Sequence, residues 1–208
     1  LRSGHSVLDT PLALLQVAER HSRINELGNC VFGLAERWFE KIPPSTGLFV
    51  NLHPTQLSDT ERLLEALSGL QPFAHRVTLE ITERSPLYEI ELWEKSVELV
   101  TEAGFSLAID DLGAGYNSLT MLAELQPRYI KLDMSLVRHI DVEPRKRRLV
   151  QLIRTFAEAT SALTIAEGVE TKVEADVLQD CGIHLLQGYY FAAPDTNEAP
   201  LAASVQGT

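Results

Sequence analysis

Two adjacent carboxylates, Asp110 and Asp111, close the apolar run Phe105-Ser106-Leu107-Ala108-Ile109 and open the glycine-rich stretch Leu112-Gly113-Ala114-Gly115-Tyr116-Asn117-Ser118. That is the pattern of a buried strand delivering acid to a loop. Carboxylates ~4 Å apart repel by ~1 kcal/mol in water and ~4 kcal/mol at an effective dielectric of 20. A cation must offset that repulsion, and a divalent metal does it best. The same residues also suit a solvated turn, and this stretch alone leaves both readings open. About a dozen residues later comes Tyr129-Ile130-Lys131-Leu132-Asp133, whose alternation points Lys131 and Asp133 to one face.

Similar strand ends recur along the chain. In order, the short apolar runs finish in Asn51, Glu80 with Glu83, Asp110 with Asp111, Lys131 with Asp133, Glu167 with Glu170, and Gln187. Glu80-Ile81-Thr82-Glu83 and Glu167-Gly168-Val169-Glu170 share a carboxylate spacing of three, which suits one acid at a strand tip and one in the loop behind it. Hard oxygen donors with an Asn, and no His or Cys pattern, fit Mg²⁺ or Mn²⁺ rather than zinc.

The elements that must carry these residues alternate. Strands are expected at Leu48 to Leu52, Val77 to Ile81, Ser106 to Ile109, Tyr129 to Leu132, Leu163 to Ala166 and Leu185-Leu186. Helical periodicity fills the gaps, as in Ile90 to Ala103 and Arg145 to Thr160, the latter with Leu149, Leu152, Ile153 and Phe156 as its apolar positions. Ahead of the first strand, Asp9-Thr10-Pro11 reads as a helix start. A second helix runs from about Leu27 to Glu40, with Val31, Leu34, Ala35 and Trp38 on one face. Alternating strands and helices imply right-handed crossovers and a mostly parallel sheet. Closing that sheet gathers every polar strand end at one mouth, whereas an open sheet spreads them along an edge. The expected fold is therefore α/β, a modified TIM-type (β/α) barrel. Six strands are legible where such a barrel has eight, so the first two are expected upstream of Leu1. Residues 1–208 read as a single domain.

Composition bounds the partners. The 208 residues are 45% hydrophobic and 23% charged, enough for one sizeable core, and the net charge of −11 disfavours polymeric nucleic acid and anionic membrane. Neither a membrane span nor a signal peptide is expected, and Cys30 and Cys181, far apart, read as reduced core residues of a cytoplasmic protein.

Taken together, these residues resemble the EAL domains, which hydrolyse the bacterial second messenger cyclic di-GMP. The likeness rests on Asn51-Leu52-His53-Pro54, Leu79-Glu80-Ile81-Thr82-Glu83, Ile109 through Leu119, Ile130-Lys131-Leu132-Asp133, Ile165 through Thr171 and Gln187-Gly188-Tyr189-Tyr190-Phe191, in family order. It implies a two-metal site in which Asn51, Glu80 and Asp110 hold one Mg²⁺ or Mn²⁺ and Asp110 with Asp111 reaches the second. By the same resemblance Lys131 stands beside the attacking water or the phosphate. Glu167 is the general base or water-orienting residue, Glu83 pins the loop from Asp111 to Ser118, and Gln187 contacts substrate. Asp133 and Glu170 are expected to support the ligands from behind. The Glu-Ala-Leu signature, whose Glu is a metal ligand in the family, is read as absent from these 208 residues. His53, Leu112 and Arg84 replace residues more usual in the family.

The expectation is a phosphodiesterase that opens cyclic di-GMP to linear pGpG, forming a homodimer and serving a longer signalling protein with an upstream sensor or GGDEF-type domain. The rival is a catalytically silent module of the same type that binds cyclic di-GMP or a partner protein. A domain serving only dimerisation would leave the converging carboxylates unexplained. His53 reads as a loop residue, Arg145 to Arg148 as a solvated helix start, and Trp38, Trp93 and Tyr189 to Phe191 as core or rim.

Overall fold

The computed structural model describes residues 10–82, 93–114 and 118–193. Its centre is one parallel sheet, in sequence order β1 (Leu48–Asn51), β2 (Val77–Thr82), β3 (Ser106–Leu112), β4 (Tyr129–Leu132), β5 (Leu163–Ala166) and β6 (Leu185–Leu186). All five neighbouring pairs are parallel. Every crossover carries helix, as parallel pairing requires. The helices are α1 (Pro11–Arg20), α2 (Ile24–Phe39), α3 (Thr60–Leu67), α4 (Trp93–Glu102), α5 (Ser118–Leu125), α6 (Met134–Val137), α7 (Pro144–Ala159) and α8 (Lys172–Asp180). Two 3₁₀ helices, Pro54–Ser58 and Ser68–Arg76, complete the described elements.

The sheet curls. Phe49 on β1 and Tyr129 on β4 meet edge to face with ring centroids 5.1 Å apart. In a flat sheet, strands three places apart are separated by ~14 Å and their side chains run parallel. Such a contact therefore needs the strongly bent wall of a barrel. β2 to β5 are buried over most of their length on both faces, and their Leu79, Ile81, Ile109, Ile130 and Leu132 are almost wholly excluded from solvent. That double burial explains why these strands read as apolar runs rather than as half-polar alternation.

Local signals set the ends. Thr10 caps α1 by accepting a hydrogen bond from Ala13 N at 3.2 Å, with Pro11 in the first turn. Helix faces differ from the sequence expectation. α2 buries Ile24, Gly28, Phe32, Ala35 and Phe39, while Leu34 and Trp38 are exposed. In α7, Val150 and Ala157 are buried, Ile153 and Phe156 pack against the core as expected, and Leu149 and Leu152 face outward. Both helices have more apolar residues than one stripe accommodates, so periodicity alone leaves the phase ambiguous, and contact with the sheet fixes it. Cys181 is buried as expected but Cys30 is exposed on α2. No helix among the described residues is long and apolar enough to cross a membrane.

The last strand is locked to its neighbour by close backbone approach. Gln187 N donates to Ala166 O at 2.8 Å, and Val169 N returns a bond to Gln187 O at 3.0 Å. A Cβ at Gly188 would lie 2.1 Å from Val169 O and 2.3 Å from Val169 N. Backbone cannot yield as a side chain can. Gly188→Ala is expected to cost at least the ~1–3 kcal/mol typical of overpacking, with a corresponding drop in thermal midpoint measured by calorimetry.

Candidate active site

Register decides which side chains share a face. Asn51 pairs with Glu80, Glu80 with Ala108, and Thr82 with Asp110. Ala108 pairs with Tyr129, and Lys131 with Ile165. Partners in a parallel ladder project the same way and residues two apart return to the same face. Asn51, Glu80, Asp110, Lys131 and Glu167 therefore lie on one side at the C-terminal ends of five successive strands.

Asp111 should by strict alternation point away from Asp110. It does not, because the β3–β4 register shifts between Ile109 and Leu112, and Asp111 adopts a left-handed backbone with φ 59°. This is a β-bulge, a device that re-aims a side chain at the rim of a barrel. As a result one carboxylate oxygen from each of Asp110, Asp111 and Glu167 lies within 4.8 Å of the other two.

Lys131 sits among the carboxylates. Its ammonium is ion-paired with Glu80, with Asp110 Oδ1 at 2.7 Å and with Glu167 Oε1 at 2.8 Å. Lys131 and Glu80 are both buried. Burial by itself would lower the Lys131 pKa, but Glu80, Asp110 and Glu167 together push it well above the ordinary lysine range. Burial raises the Glu80 carboxyl, and Lys131 only partly offsets this. Glu167 is likewise pushed up by burial, against Lys131 and with help from Asp110 and Asp111. Three of the four acids share this one ammonium, so their carboxylates are in excess over it. Three clustered hard oxygen donors beside that excess fit a divalent cation.

Other residues singled out in the sequence lie around this cluster. Asn51 is on its face and exposed, at the end of β1 beside Glu80. Gln187 follows β6, its backbone bonded to β5 and its side chain exposed. Asp133 caps α6 through a bond from Ser135 N at 2.8 Å. Glu170 pairs with Arg138. Glu83 and Arg84 lie outside the described residues. His53 caps the first 3₁₀ helix and contacts Glu19 on α1 at 3.1 Å. Within the basic run, Lys146 and Arg147 are not merely solvated, since they donate to the carbonyls of Arg138 and Ile140 at 2.6 and 2.8 Å. Trp93 is buried, whereas Trp38 and Tyr189 to Phe191 are exposed.

The letters Glu-Ala-Leu do occur once, at Glu65-Ala66-Leu67, but inside α3. Glu65 lines a groove of about 440 Å³ with Glu36 and Arg62, away from any strand end, so this triplet is not the family signature. The residue that strand-end reasoning missed is Glu174, a buried acid on α8. Its signal was present, as Thr171-Lys172-Val173-Glu174 has capping-box spacing.

A curled parallel sheet with acid and one lysine at its C-terminal rim is the architecture of a barrel hydrolase or ligand-binding module. Comparison with known proteins narrows the class. The EAL domain profile matches residues 1–194. A probable cyclic di-GMP phosphodiesterase of Escherichia coli, PdeG, is 31% identical over 202 residues, covering 94% of this chain and 40% of PdeG. Among solved structures, the PaMucR phosphodiesterase in complex with cyclic di-GMP superposes with a TM-score of 0.80 at 26% identity, covering 90% of this chain and 84% of that one. Klebsiella pneumoniae BlrP1, solved with calcium and cyclic di-GMP, gives 0.74 at 33% identity, covering 88% and 48%. The chain belongs to the EAL domain family. It spans less than half the length of PdeG.

Replacing Lys131 by Met would strand the buried Glu80 without its cation. Chelator-treated protein is expected to lose about 3–5 kcal/mol, read from urea unfolding at neutral pH. The sign with pH follows from the raised lysine pKa. The contribution is fully present below the ordinary value of about 10.4 and is lost as pH climbs beyond it. The gap between wild type and variant should therefore narrow above that pH. A gap that stays flat into strong alkali would place the ammonium outside the cluster.

Proposed function

We propose that this domain hydrolyses cyclic di-GMP to linear pGpG. The observation that carries the reading is the placement of Glu80, Asp110, Asp111, Lys131 and Glu167 on one rim, with Lys131 joining three of the acids. Family membership supplies the substrate class: PaMucR and BlrP1 were both solved with cyclic di-GMP, BlrP1 also as a manganese complex.

In this reading Asn51, Glu80, Asp110 and Asp111 hold Mg²⁺ or Mn²⁺ in a two-metal site. The ions would supply a water of lowered pKa and charge neutralisation at the phosphodiester oxygens. Glu167, whose carboxylate stands with those of Asp110 and Asp111, is suited by position to accept a proton from that water. Lys131 keeps a fixed positive charge next to Glu167 and holds its carboxylate in place. In the same reading its charge also offsets that gained by a phosphate oxygen. Gln187 is exposed at the end of the neighbouring strand and is suited to contact a nucleotide. Glu83 belongs to the same proposal as the anchor of the loop from Asp111 to Ser118. Asp133 and Glu170 act at one remove, by shaping α6 and its contact with the Glu167 loop.

The greater length of PdeG supports placing the domain as the output module of a longer bacterial signalling protein. That reading is cytoplasmic and homodimeric, with a sensor or GGDEF-type domain upstream. The silent-receptor reading differs in one measurable respect. With Mn²⁺ present, products separated by anion exchange should include pGpG for the wild type, and Glu167→Gln should lower the rate by about 10²–10⁴ while binding of cyclic di-GMP persists. Tight binding with no product from the wild type would support a receptor instead.

A further inference from the structure

A capping-box glutamate normally needs only two reciprocal bonds at a helix start. Glu174 makes that box with Thr171, accepting from Thr171 N at 3.1 Å while its own N donates to Thr171 Oγ1 at 3.2 Å. It then does more. Its Oε2 also accepts from Glu170 N at 3.0 Å, and its Oε1 accepts from His139 N at 3.2 Å, 35 residues away. Arg138 lies 3.9 Å from it and pairs with Glu170 as well. The residue is only 4% exposed. Burial would raise its carboxyl, but the three amides and Arg138 outweigh that and hold it below the ordinary range. His139 has a left-handed backbone, φ 59°, a conformation that costs a non-glycine residue energy.

These bonds join two particular segments. His139 follows β4 and α6, the connection that leaves Lys131, whereas Glu170 and Thr171 belong to the loop that leaves Glu167 on β5. Between them Gly168, φ 68°, rides on α6 so closely that a Cβ there would lie 2.8 Å from Met134 Cβ. The loop is thus pressed on α6 at Gly168 and tied to the turn after α6 by Glu174. At its other end Glu167 N is held by Leu132 O at 3.1 Å.

We propose that Glu174 is a positioning residue for the site: its buried carboxylate clasps the loop after β5 to the turn after α6, and so sets Glu167 against Lys131. The inference rests on the hydrolase reading only for its kinetic readout, since the clasp can also be observed directly.

The experiment compares wild type, Glu174→Gln, Glu174→Asp and Thr171→Ala by amide exchange and by cyclic di-GMP turnover with Mn²⁺. Glu174→Gln is expected to speed exchange at His139, Glu170 and Thr171 by tenfold or more and to lower kcat by ten- to a hundredfold, with KM within about twofold. Glu174→Asp keeps the charge but is one methylene short, and it should lose His139 protection while retaining part of that at Thr171. Thr171→Ala removes the helix cap and should lower thermal stability without the fall in kcat. Equal kinetic losses in Thr171→Ala and Glu174→Gln, or unchanged exchange at His139, would reduce Glu174 to a cap and overturn the proposal. If Glu174→Gln does not fold, Glu174→Asp and the wild-type exchange rates decide, and unprotected amides at all three positions in the wild type overturn it. If the wild type cleaves nothing, the hydrolase reading fails, and the exchange pattern still decides whether the clasp exists.

Discussion

The rim depends on one buried ammonium. Glu80, Asp110, Asp111 and Glu167 converge where their mutual repulsion would splay the strands that carry them, and Lys131 pairs with three of the four. A buried charge cluster of this kind does not raise stability in comparison with an apolar core of the same volume. The packed sheet beneath it carries that cost. The apolar layers of β2 to β5, almost solvent-free, supply that support.

Geometry at the rim comes from small departures from regularity. Ideal alternation would bring only every second residue of a strand to the mouth. The bulge between Ile109 and Leu112, with Asp111 left-handed, brings two adjacent acids there instead. The connections beyond the strand tips are as constrained as the strands. Gly188 lies against the Val169 backbone and Gly168 against Met134, so the loops after β5 and β6 and the start of α6 pack as one layer. Glu174 threads hydrogen bonds through that layer.

The legible part of the molecule was the part with local causes. The six strands were readable because a parallel strand buried on both faces is a short continuous apolar run, and their polar ends were readable because polarity stops each run. Thr10 before Pro11 marked the start of α1 for the same local reason. Helix phase was readable only in part in α2 and α7, where Val31, Ala35, Ile153 and Phe156 do pack on the core. Leu34, Trp38, Leu149 and Leu152 are as apolar as the residues that are buried, and only the position of the sheet selects between them. Cys30 is exposed by the same logic.

By itself the sequence determined the parallel α/β architecture, the order of the functional strand ends and the chemical type of each candidate residue. Those follow from composition and period, which act over a few residues. Tertiary structure decided which of these residues meet. Curling of the sheet brings β1 to within ring contact of β4, and the bulge turns Asp111 inward. Lys131 becomes the shared partner of three acids from three other strands. It also turned Glu174 from a helix cap into a bond between two loops, because a contact spanning 35 residues depends on how crossovers pack and leaves no periodic trace in the chain.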